Sequence, residues 1–553
     1  MPKLSQSKKG FPLKSGCEQF NVEKALSRFK NLDKADEKLI SLKKTYDILV
    51  IGSGLGGLVS ALILAKEGLK VCVLEKNNQY GGNLQTFSRD KLIFDTGVHY
   101  LGGLSKGQNL HQFFSYLEII DDLELQKMDE NGYDKITFEG DKIEYPHAQG
   151  YENFVEQLSK YFPDERENIE NYCEEIQRIC NHFPRYNVIG KDNYNEEILH
   201  LNTKRFIESI TSNKKLQSVL LGSNFLYAGD SENVPFYVHA LTVNSYIQSA
   251  YKCVKGGSQI SKLLIRKLRQ YGAEVHKHSE VSEFIFNENN TLIGAKTKSG
   301  QEYSAKQIIS NIEIRSTIKL IGEDRLKKSF LNRVLSWEPV SSCFSVYLVL
   351  KPHAVLNFNY NIYHYSSEEL VWNAYRYDKQ AWPETYMLSS TASKHHPEFA
   401  ESLTAISYMD FDEVKKWQNT FNTVADEHGR GKQYEKFKQE KAEKMIDVLE
   451  KKIPDLRDSI KNIYTSSPLS YRDYIGSFDG NMYGYIKSSE NPLKTMVSPR
   501  TKIDNLFLTG QSVNMHGILG CTIGAFNTCA EILGKDVVDQ RLTEMINKNR
   551  SEK

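Results

Sequence analysis

No run of apolar residues in this sequence is long enough to cross a lipid bilayer. The longest runs, such as Leu58–Ala65, contain about eight residues, whereas a membrane-spanning helix needs roughly 20. The N-terminus also lacks the apolar core of a secretory signal peptide. We therefore expect a cytoplasmic protein that is either soluble or in peripheral contact with a membrane surface.

An excess of charge of one sign is also missing. The 71 basic and 70 acidic residues leave a net charge of +1. A nucleic-acid partner is not expected, because binding to a phosphate backbone calls for a basic surface. None of the eight cysteines belongs to a C-x-x-C pair, which argues against a zinc site and against a disulfide framework. We expect reduced thiols and no bound metal.

Residues 1–44 are polar and rich in lysine, with 11 basic and 5 acidic residues. Within them Val22, Leu26, Phe29 and Leu32 recur at helical spacing, which predicts a short amphipathic helix in a polar extension. Such a helix could lie on an anionic membrane surface. The alternative is that it packs against the body of the protein.

At Tyr46 the pattern changes to a strand, a helix and a second strand. Tyr46–Ile51 and Lys70–Glu75 are typical of buried strands, and Leu58–Glu67 of the helix between them. The turn after the first strand, residues 52–57, has the sequence Gly-Ser-Gly-Leu-Gly-Gly, a G-x-G-x-x-G motif. A strand, this turn and a helix in that order are typical of a dinucleotide-binding unit.

Each glycine of that motif has a separate role. Gly52 allows the tight turn, Gly54 lets a pyrophosphate approach the backbone, and Gly57 lets the helix pack closely on the strand. The phosphates then face the positive end of the helix dipole. Glu75 ends the second strand, where a carboxylate accepts hydrogen bonds from ribose hydroxyls.

A second set of motifs favours FAD over NAD. Gly81 and Gly82 follow the second strand closely, and the string Phe94–Gly102 comes soon afterwards. An NAD domain needs no double glycine there, whereas a flavin enzyme uses such loops to enclose the ribityl and isoalloxazine parts of a longer cofactor. The sequence has no second G-x-G-x-x-G with a flanking strand, helix and acid, so a dedicated NAD(P) domain is not expected.

The end of the chain predicts a cap over the cofactor. Asn505–Thr509 reads as a strand that leads to Gly510, and an apolar helix follows over about Gly520–Leu533. A helix N-terminus aimed at the flavin ring would stabilise the anion of the reduced form. The alternative is that this strand and helix merely close the sheet, and both interpretations can hold together.

Between these motifs, residues 105–250 read as mostly helical, residues 340–410 as strand-rich and residues 412–465 as charged helices. Strands around Ser342–Leu350 and Ile362–Tyr377 are expected to roof an apolar tunnel with Tyr and Trp walls, although they could equally form an ordinary sheet face. The pattern predicts three further strands, at Glu274–Phe286, Leu292–Lys298 and Glu302–Ser310.

The ordered set of motifs resembles the superfamily of FAD-dependent phytoene desaturases, carotenoid isomerases and retinol saturases. The string Phe94–Gly102 and the turn His516–Gly520 are most similar to the retinol saturase, or all-trans-retinol 13,14-reductase, branch. One departure is Gln511, where many relatives carry an acid, and this should alter the detail of FAD binding without preventing it. The resemblance is carried by residues 51–57, 74–76, 81–82, 94–102, 255–258, 467–473, 483–484, 508–511 and 516–520.

The resemblance implies an α/β fold with a Rossmann-like FAD-binding domain of the GR2 flavoprotein type and an interleaved, mixed α+β substrate domain. The implied division is an N-terminal extension over residues 1–44, an FAD domain over residues 45–115, 250–315 and 495–540, and a substrate domain over residues 116–249 and 316–494. Val281 is one of the implied cofactor-binding residues because the backbone of its strand would meet the adenine. The implied cofactor-binding residues are Gly52, Ser53, Gly54, Gly57, Glu75, Lys76, Gly82, Val281, Gly510 and Leu519.

The resemblance also implies oxidoreductase chemistry on the carbon–carbon double bonds of a long apolar polyene, such as a retinoid or a carotenoid. In a saturase, a hydride passes from reduced FAD to one carbon and a proton reaches the other. His99, Tyr100 and His516 are the candidate catalytic residues, with Tyr483 as a further candidate proton donor, because they lie in motifs expected near the flavin. Each could instead bond to the backbone or the flavin, and the proton could come from water.

Three functions stay open at this point. We favour a reductase or saturase; the alternatives are a carotenoid desaturase or cis–trans isomerase, and a non-catalytic flavin-binding redox protein. The electron donor or acceptor is expected to be NAD(P)H, a quinone or a redox protein.

Overall fold

The computed structural model describes residues 45–189, 195–424, 428–513 and 515–551, so the helix and the membrane contact predicted for residues 1–44 lie outside the described residues. Within the described ranges the strands are β1 (Thr45–Ile51), β2 (Val71–Leu74), β3 (Thr86–Arg89), β4 (Leu92–Asp95), β5 (Leu101–Gly102), β6 (Leu125–Lys127), β7 (Asp134–Phe138), β8 (Tyr145–His147), β9 (Ala250–Cys253), β10 (Glu274–His276), β11 (Val281–Phe286), β12 (Leu292–Thr297), β13 (Glu302–Ser310), β14 (Ser342–Leu350), β15 (Asn361–Tyr365), β16 (Thr385–Ala392), β17 (Ala400–Met409), β18 (Ile460–Ser466) and β19 (Leu506–Leu508).

The same ranges contain sixteen α-helices. They are α1 (Leu55–Lys66), α2 (Asn109–Tyr116), α3 (Tyr151–Ser159), α4 (Arg166–Asn181), α5 (Glu196–His200), α6 (Thr203–Ile210), α7 (Lys214–Leu220), α8 (Phe236–Gln248), α9 (Ser258–Gln270), α10 (Ile314–Ile321), α11 (Lys328–Leu335), α12 (Lys432–Glu450), α13 (Leu456–Ser459), α14 (Pro468–Ile475), α15 (Gly517–Leu533) and α16 (Lys535–Ser551).

The first sheet contains the predicted strand–helix–strand unit. Its strand order is β10-β2-β1-β13-β12-β11, with β19 also paired to β13. β1 and β2 run parallel, with Ile48 opposite Val71 and Ile51 opposite Leu74. β19 runs parallel to the end of β13. The carboxyl ends of these parallel strands therefore meet at one edge, which is where ligands bind in sheets of this type.

Helix α1 connects β1 to β2 and is buried on all sides. Eleven of its twelve residues are buried, Lys66 being the exception. Helices α9 and α15 pack against it. A helix that is apolar around its whole circumference is stable only in such a setting, because a surface helix needs a polar face. This packing fixes the position of the helix N-terminus at the edge of the sheet.

A second sheet forms the other large core. Its order is β18-β14-β17-β16-β15-β7-β8, and its strands pair antiparallel except for β15 and β7, which are parallel. Helices α3 to α8 contribute their apolar faces to the same core. A small three-stranded sheet has the order β5-β9-β6, and its strand β5 comes directly after Tyr100. This architecture confirms the predicted α/β fold, a Rossmann-like unit with interleaved mixed α+β elements.

Several predicted elements differ from the structure. Glu274–Phe286 was predicted as one strand, but it forms β10 and β11, which pair with different neighbours. The chain breaks between them at His278, whose φ is 51°, as it passes over the end of β2, where Ser279 N donates to Glu75 O. Both pieces have strand-like residues, and periodicity does not show which partner a strand pairs with.

Other differences follow from the same cause. The region predicted as mostly helical, residues 105–250, also contains β6, β7, β8 and the start of β9, and the region of charged helices ends in β18. The strand predicted over Ile362–Tyr377 ends at Tyr365, and the closing helix begins at Gly517 rather than Gly520. Short strands such as β7 are stabilised by long-range pairing, which a local pattern does not contain.

No helix in the described ranges is both long and apolar enough to span a membrane. The division into an FAD domain and a substrate domain stays a prediction.

Candidate functional site

The glycine turn between β1 and α1 leaves an open helix N-terminus. Gly52 has a φ of +92°, which favours glycine. A Cβ on Gly57 would overlap the carbonyl oxygen of Gly52, so the turn and the first turn of the helix touch through their backbones. Gly54 caps α1 without a side-chain hydrogen bond. The first N–H groups of the helix therefore stay available to an anion.

Glu75 holds this turn in place from the end of β2. Its Oε2 accepts hydrogen bonds from Ser53 N at 3.0 Å and from the Ser53 hydroxyl, and its Oε1 accepts from Asn77 N at 2.9 Å. Ser53 Oγ in turn accepts from Gly81 N at 3.2 Å, which draws the double-glycine loop onto the turn. A carboxylate has about four acceptor positions, so Glu75 keeps capacity for a ligand hydroxyl.

Asn311 lies directly beneath the glycine turn and was not predicted. Its N donates to Ile51 O at 2.9 Å, and its side-chain amide would contact a Cβ on Gly54 at 2.8 Å. The same side chain approaches Gly510 at the end of β19. A usable sequence signal existed, because Asn311 is the first residue after a buried strand, the position where parallel strands present ligand-binding groups.

A large cavity begins at this turn. Its volume is about 1390 Å³. Single ligands occupy pockets of roughly 300–1000 Å³, so the space suits a dinucleotide together with a second molecule. Nine of the ten predicted cofactor residues line the cavity. The tenth, Gly57, packs the helix on the strand as its predicted role requires; the cofactor contacts of all ten stay a prediction.

The closing segment forms the opposite wall of the cavity. Gly510 and Gln511 follow β19, and Gln511 Oε1 accepts from Asn83 Nδ2 at 3.3 Å. The first residues of α15 line the cavity from Gly517 onwards, and His516 caps that helix without a side-chain bond. Two helix N-termini therefore border the same cavity, one at the glycine turn and one at the predicted cap.

All three candidate catalytic residues line the cavity. Burial lowers the pKa of His516 to about 4, and its Nε2 lies 3.1 Å from Leu226 O. Because a carbonyl only accepts, Nε2 carries the hydrogen and Nδ1 is left as an acceptor. Burial, together with nearby Lys252, lowers the pKa of His99 to about 4. Both rings are therefore neutral near pH 7.

Tyr100 has a different setting. Its hydroxyl lies 2.9 Å from Asp134 Oδ2 and 2.8 Å from the hydroxyl of Tyr363. Burial, with the Asp134 charge nearby, raises the pKa of Tyr100 well above its usual value. The ring of Tyr246 packs on that of Tyr100, with centroids 4.4 Å apart. The further candidate, Tyr483, donates to Phe225 O at 3.2 Å and also lines the cavity.

Comparison with known proteins gives the family. The model of an NAD(P)-binding Rossmann-like domain matches residues 50–117. All-trans-retinol 13,14-reductase from Rattus norvegicus is 26% identical over 559 residues, which cover 93% of this chain and 89% of that protein. A chloroplastic prolycopene isomerase from Daucus carota is 26% identical over 519 residues, covering 89% of this chain and 80% of that protein. Over most of its length this chain is therefore similar to retinol saturases and carotenoid isomerases.

The predicted superfamily is thereby confirmed, and so is the presence of a dinucleotide-binding domain. The fold is also that of a solved oxidoreductase from Methanosarcina mazei, with a TM-score of 0.59 and 14% identity, over 89% of this chain and 100% of that chain. At this identity the likeness concerns the fold alone.

The predicted tunnel walls are only partly correct. Tyr363, Met387 and Ile406 of the second sheet line the cavity, but no residue of Ser342–Leu350 does, and the described part of the wall contains no tryptophan. Strand β14 packs instead on the β3–β4 hairpin, where Tyr347 meets two phenylalanine rings. An apolar strand can face either the core or a cavity, and its sequence does not distinguish the two.

Lys76 and Asn77 join the turn after β2 to the end of α14. Lys76 Nζ donates to Asp473 O at 3.0 Å and Asn77 Nδ2 donates to Tyr474 O at 2.7 Å. Burial lowers the pKa of Lys76. A lysine that binds the last carbonyls of a helix stabilises the helix end. Lys76 therefore positions α14 at the cavity wall as well as lining the cavity itself.

Replacing Gly57 with alanine should destabilise the protein by about 1–3 kcal/mol, as overpacking does, because the new methyl group meets the Gly52 carbonyl. Chemical denaturation measures this change. Gly429→Ala is the control, since a Cβ there meets nothing within 4 Å. Equal unfolding midpoints for the two variants would contradict the close packing of turn and helix.

Proposed function

We propose that this protein binds FAD in the cavity and reduces a carbon–carbon double bond of a long apolar polyene, a retinoid or a carotenoid-like molecule. The observation that supports this most is the continuity of the cavity, which runs from the glycine turn to a group of buried tyrosines. The cofactor end and the apolar end therefore share one continuous space.

The residues present fit FAD. The backbone at Gly54 and Gly57 leaves no room for side chains, Glu75 retains acceptor capacity, and the N-terminus of α1 faces the same space. At the opposite wall, the hydroxyl of Thr509 is buried without a hydrogen-bond partner. A buried polar atom of this kind is explained by a ligand group that completes its bonding.

In this proposal the glycine turn and α1 hold the pyrophosphate, Glu75 binds the ribose, and the start of α15 lies at the flavin end. Bound FAD would supply two-electron redox chemistry. The positive end of the α15 dipole would stabilise negative charge at that place. Residues 45–115, 250–315 and 495–540 would then form the FAD domain, and residues 116–249 and 316–494 would shape the substrate space.

The substrate end of the cavity has an apolar character. Phe225, Leu226, Tyr237, Met387 and Ile406 contribute to its wall. A wall of this composition excludes water from the reacting double bond. It also suits a hydrocarbon chain, because such a chain has no hydrogen-bonding groups. The rat relative is an all-trans-retinol 13,14-reductase, and this supports reduction of such a chain.

A second candidate function is cis–trans isomerisation of a polyene, because the carrot relative is named a prolycopene isomerase. The same cavity would serve this reaction. A flavin-binding redox protein without turnover is the remaining alternative from the sequence. The electron donor, whether NAD(P)H, a quinone or a redox protein, stays a prediction.

An anaerobic assay separates these functions. The purified protein is reconstituted with FAD, the flavin is reduced, and all-trans-retinol or prolycopene is added. We expect the flavin absorbance to recover as a product two hydrogens heavier than the substrate forms. A product with the mass of the substrate but an altered double-bond geometry would indicate isomerisation instead of reduction. A protein that retains FAD but converts no polyene would indicate the non-catalytic redox protein.

Protein that takes up no flavin would contradict the proposal as a whole. Protein without polyene, and polyene with free reduced flavin, serve as controls for non-enzymatic reaction.

A further inference from the structure

A line of buried hydroxyl and carboxyl groups leads from the cavity wall into the protein. Tyr363 lines the cavity, and its hydroxyl lies 2.8 Å from that of Tyr100. The Tyr100 hydroxyl lies 2.9 Å from Asp134 Oδ2. Asp134 Oδ1 accepts from Asn361 Nδ2 at 2.9 Å. Asp134 is fully buried behind the two tyrosines. We call Tyr363, Tyr100 and Asp134 the hydroxyl–carboxyl line.

Three elements assemble this line. Tyr100 directly precedes β5, Asp134 begins β7, and Tyr363 is the third residue of β15. β7 and β15 run parallel with Asp134 opposite Asn361, so the amide that bonds to the carboxyl group is set by strand register. Sheet pairing therefore holds Asp134 and Tyr363, and Tyr100 meets them from the residue before β5.

The charged and titratable groups around Asp134 are few. Among the described residues, Lys252 on β9 is the only cation whose charge lowers the pKa of Asp134. Lys252 Nζ donates to Ser390 O at 3.1 Å. Tyr246 on α8 and Tyr133 beside Asp134 are buried tyrosines. His147 on β8 lies opposite Asp134 in the sheet, and burial lowers the pKa of His147 to about 4.

Burial has the largest effect on the pKa of Asp134. It raises the pKa of Asp134 to about 7, against the hydrogen bonds from Asn361 and Tyr100 and the charge of Lys252. Burial also lowers the pKa of Lys252 to about 8. A carboxyl group with its pKa near neutrality can both hold and release a proton at physiological pH.

The protonation state of Asp134 sets the direction of the hydrogen bonds. A carboxylate only accepts, so with Asp134 ionised Tyr100 donates to it and Tyr363 donates to Tyr100. Each tyrosine has one hydroxyl hydrogen, and both then point away from the cavity. With Asp134 protonated, the carboxyl group donates to Tyr100 and Tyr100 donates to Tyr363. The Tyr363 hydrogen is then free to point into the cavity.

We propose that Asp134, Tyr100 and Tyr363 form a proton relay that protonates the substrate carbon, an inference that rests on the proposed reduction of a polyene. Both tyrosines line the cavity, but the hydroxyl of Tyr100 is bonded to Asp134 and that of Tyr363 is not. Tyr363 is therefore the catalytic residue at the end of the relay, and Tyr100 and Asp134 act through it. Of the predicted candidates, the relay places Tyr100 one step behind the donor.

Bound reduced FAD would supply the hydride for one carbon of the double bond, and the neighbouring carbon forms its C–H bond with the proton of Tyr363. Tyr363 regains a proton from Tyr100, and Tyr100 regains one from Asp134. The double bond gains two electrons and two hydrogens, and Asp134 ends as a carboxylate that takes a proton from solvent before the next turnover.

The pH dependence has a definite sign. Because the protonated form of Asp134 is the competent one, turnover should be full below the pKa of Asp134 and fall as the pH rises through about 7. Asp134→Asn should lose this limb of the pH profile, because an amide donates to Tyr100 at every pH but releases no proton. Loss of general acid catalysis should slow turnover of this variant at least about 100-fold.

Infrared difference spectroscopy of the FAD-loaded protein without substrate tests the resting state independently of activity. We expect a carbonyl band of protonated carboxyl groups that disappears between acidic and alkaline pH. Burial also raises the pKa of Asp95 to about 7, so this band should have two components. Asp134→Asn should remove one component, and Asp95 should retain the other.

Tyr363→Phe removes only a hydroxyl group, so it tests the relay even if the Asp134→Asn variant does not fold. It should slow turnover about 100-fold while FAD and substrate still bind. The matched controls are Tyr375→Phe and Asp230→Asn, a second buried pair whose tyrosine donates to the carboxylate at 2.8 Å and which lies outside the cavity wall. These controls should keep both infrared components and the wild-type pH profile.

Two failures are distinguishable. A wild-type protein that reduces no polyene would overturn the proposed function, and with it the relay. Wild-type turnover combined with unchanged rates and pH profiles in Asp134→Asn and Tyr363→Phe would overturn the relay alone, as would an infrared spectrum that Asp134→Asn leaves unaltered.

Discussion

Replacing Glu75 with alanine should weaken FAD retention between about 100-fold and about 10,000-fold. Glu75 would bind the ribose, and its carboxylate also holds Ser53 in the glycine turn. Two hydrogen bonds to a charged group contribute about 1.5–3 kcal/mol each, and each 1.4 kcal/mol is a factor of about ten in affinity. The alanine variant also leaves three donors, Ser53 N, Ser53 Oγ and Asn77 N, without their acceptor.

Flavin content after purification and titration of the apoprotein with FAD measure this effect. Glu274→Ala is the matched control, because Glu274 lies on the neighbouring parallel strand β10, bonds to His276 and does not line the cavity. The control should retain FAD as the wild type does. Wild-type flavin occupancy in Glu75→Ala would show that the cofactor lies elsewhere.

Replacing Asp473 with alanine should lower the free energy of unfolding by about 3–5 kcal/mol, as expected when one partner of a buried ion pair is removed. Asp473 is fully buried and accepts from Arg430, from Arg472 at 2.7 Å and from Asn422 N at 2.9 Å. Without the carboxylate, the buried guanidinium of Arg430 keeps its charge and loses its counter-ion. The segment around residue 422 would also lose one of its hydrogen bonds to α14, the bond from Asn422 N to Asp473.

Urea denaturation followed by circular dichroism measures this loss. Asp447→Ala is the control, because its pair with Arg457 is exposed and an exposed pair contributes about 1 kcal/mol or less. Adding Arg430→Met to Asp473→Ala should recover part of the lost stability, since the unpaired buried charge is then gone. Equal midpoints for Asp473→Ala and Asp447→Ala would contradict a structural role for this ion pair.

The glycine turn and its carboxylate were predictable because their chemistry is local. The strand, the three glycines, the helix and Glu75 occupy fewer than about thirty-five residues of one strand–helix–strand unit, a length typical of such units. Their order in the chain is also their order in space. The turn at Asn287–Asn290 between β11 and β12 is likewise local, and Asn290 N donates to Asn287 O at 2.9 Å.

The hydroxyl–carboxyl line was not predictable in the same way. Tyr100 stood out because its motif resembles a known family, but Asp134 and Tyr363 lie in segments with no recognisable motif. Asp134 even falls in a region predicted as mostly helical, where it begins β7. The pairing of β7 with β15, more than two hundred residues apart in the chain, brings its carboxyl group next to Asn361. Tyr100 reaches the same carboxyl group from a third segment, before β5.

The sequence by itself determined that a dinucleotide-binding unit begins near Tyr46, which glycines and which acid belong to it, and which superfamily the chain resembles. The tertiary structure alone decided which strands face the cavity, that Asn311 lies beneath the glycine turn, and that a buried carboxyl group stands behind the cavity tyrosines. The reason is physical. A turn is fixed by the dihedral angles and hydrogen bonds of neighbouring residues, whereas burial and strand register depend on partners distant in the chain.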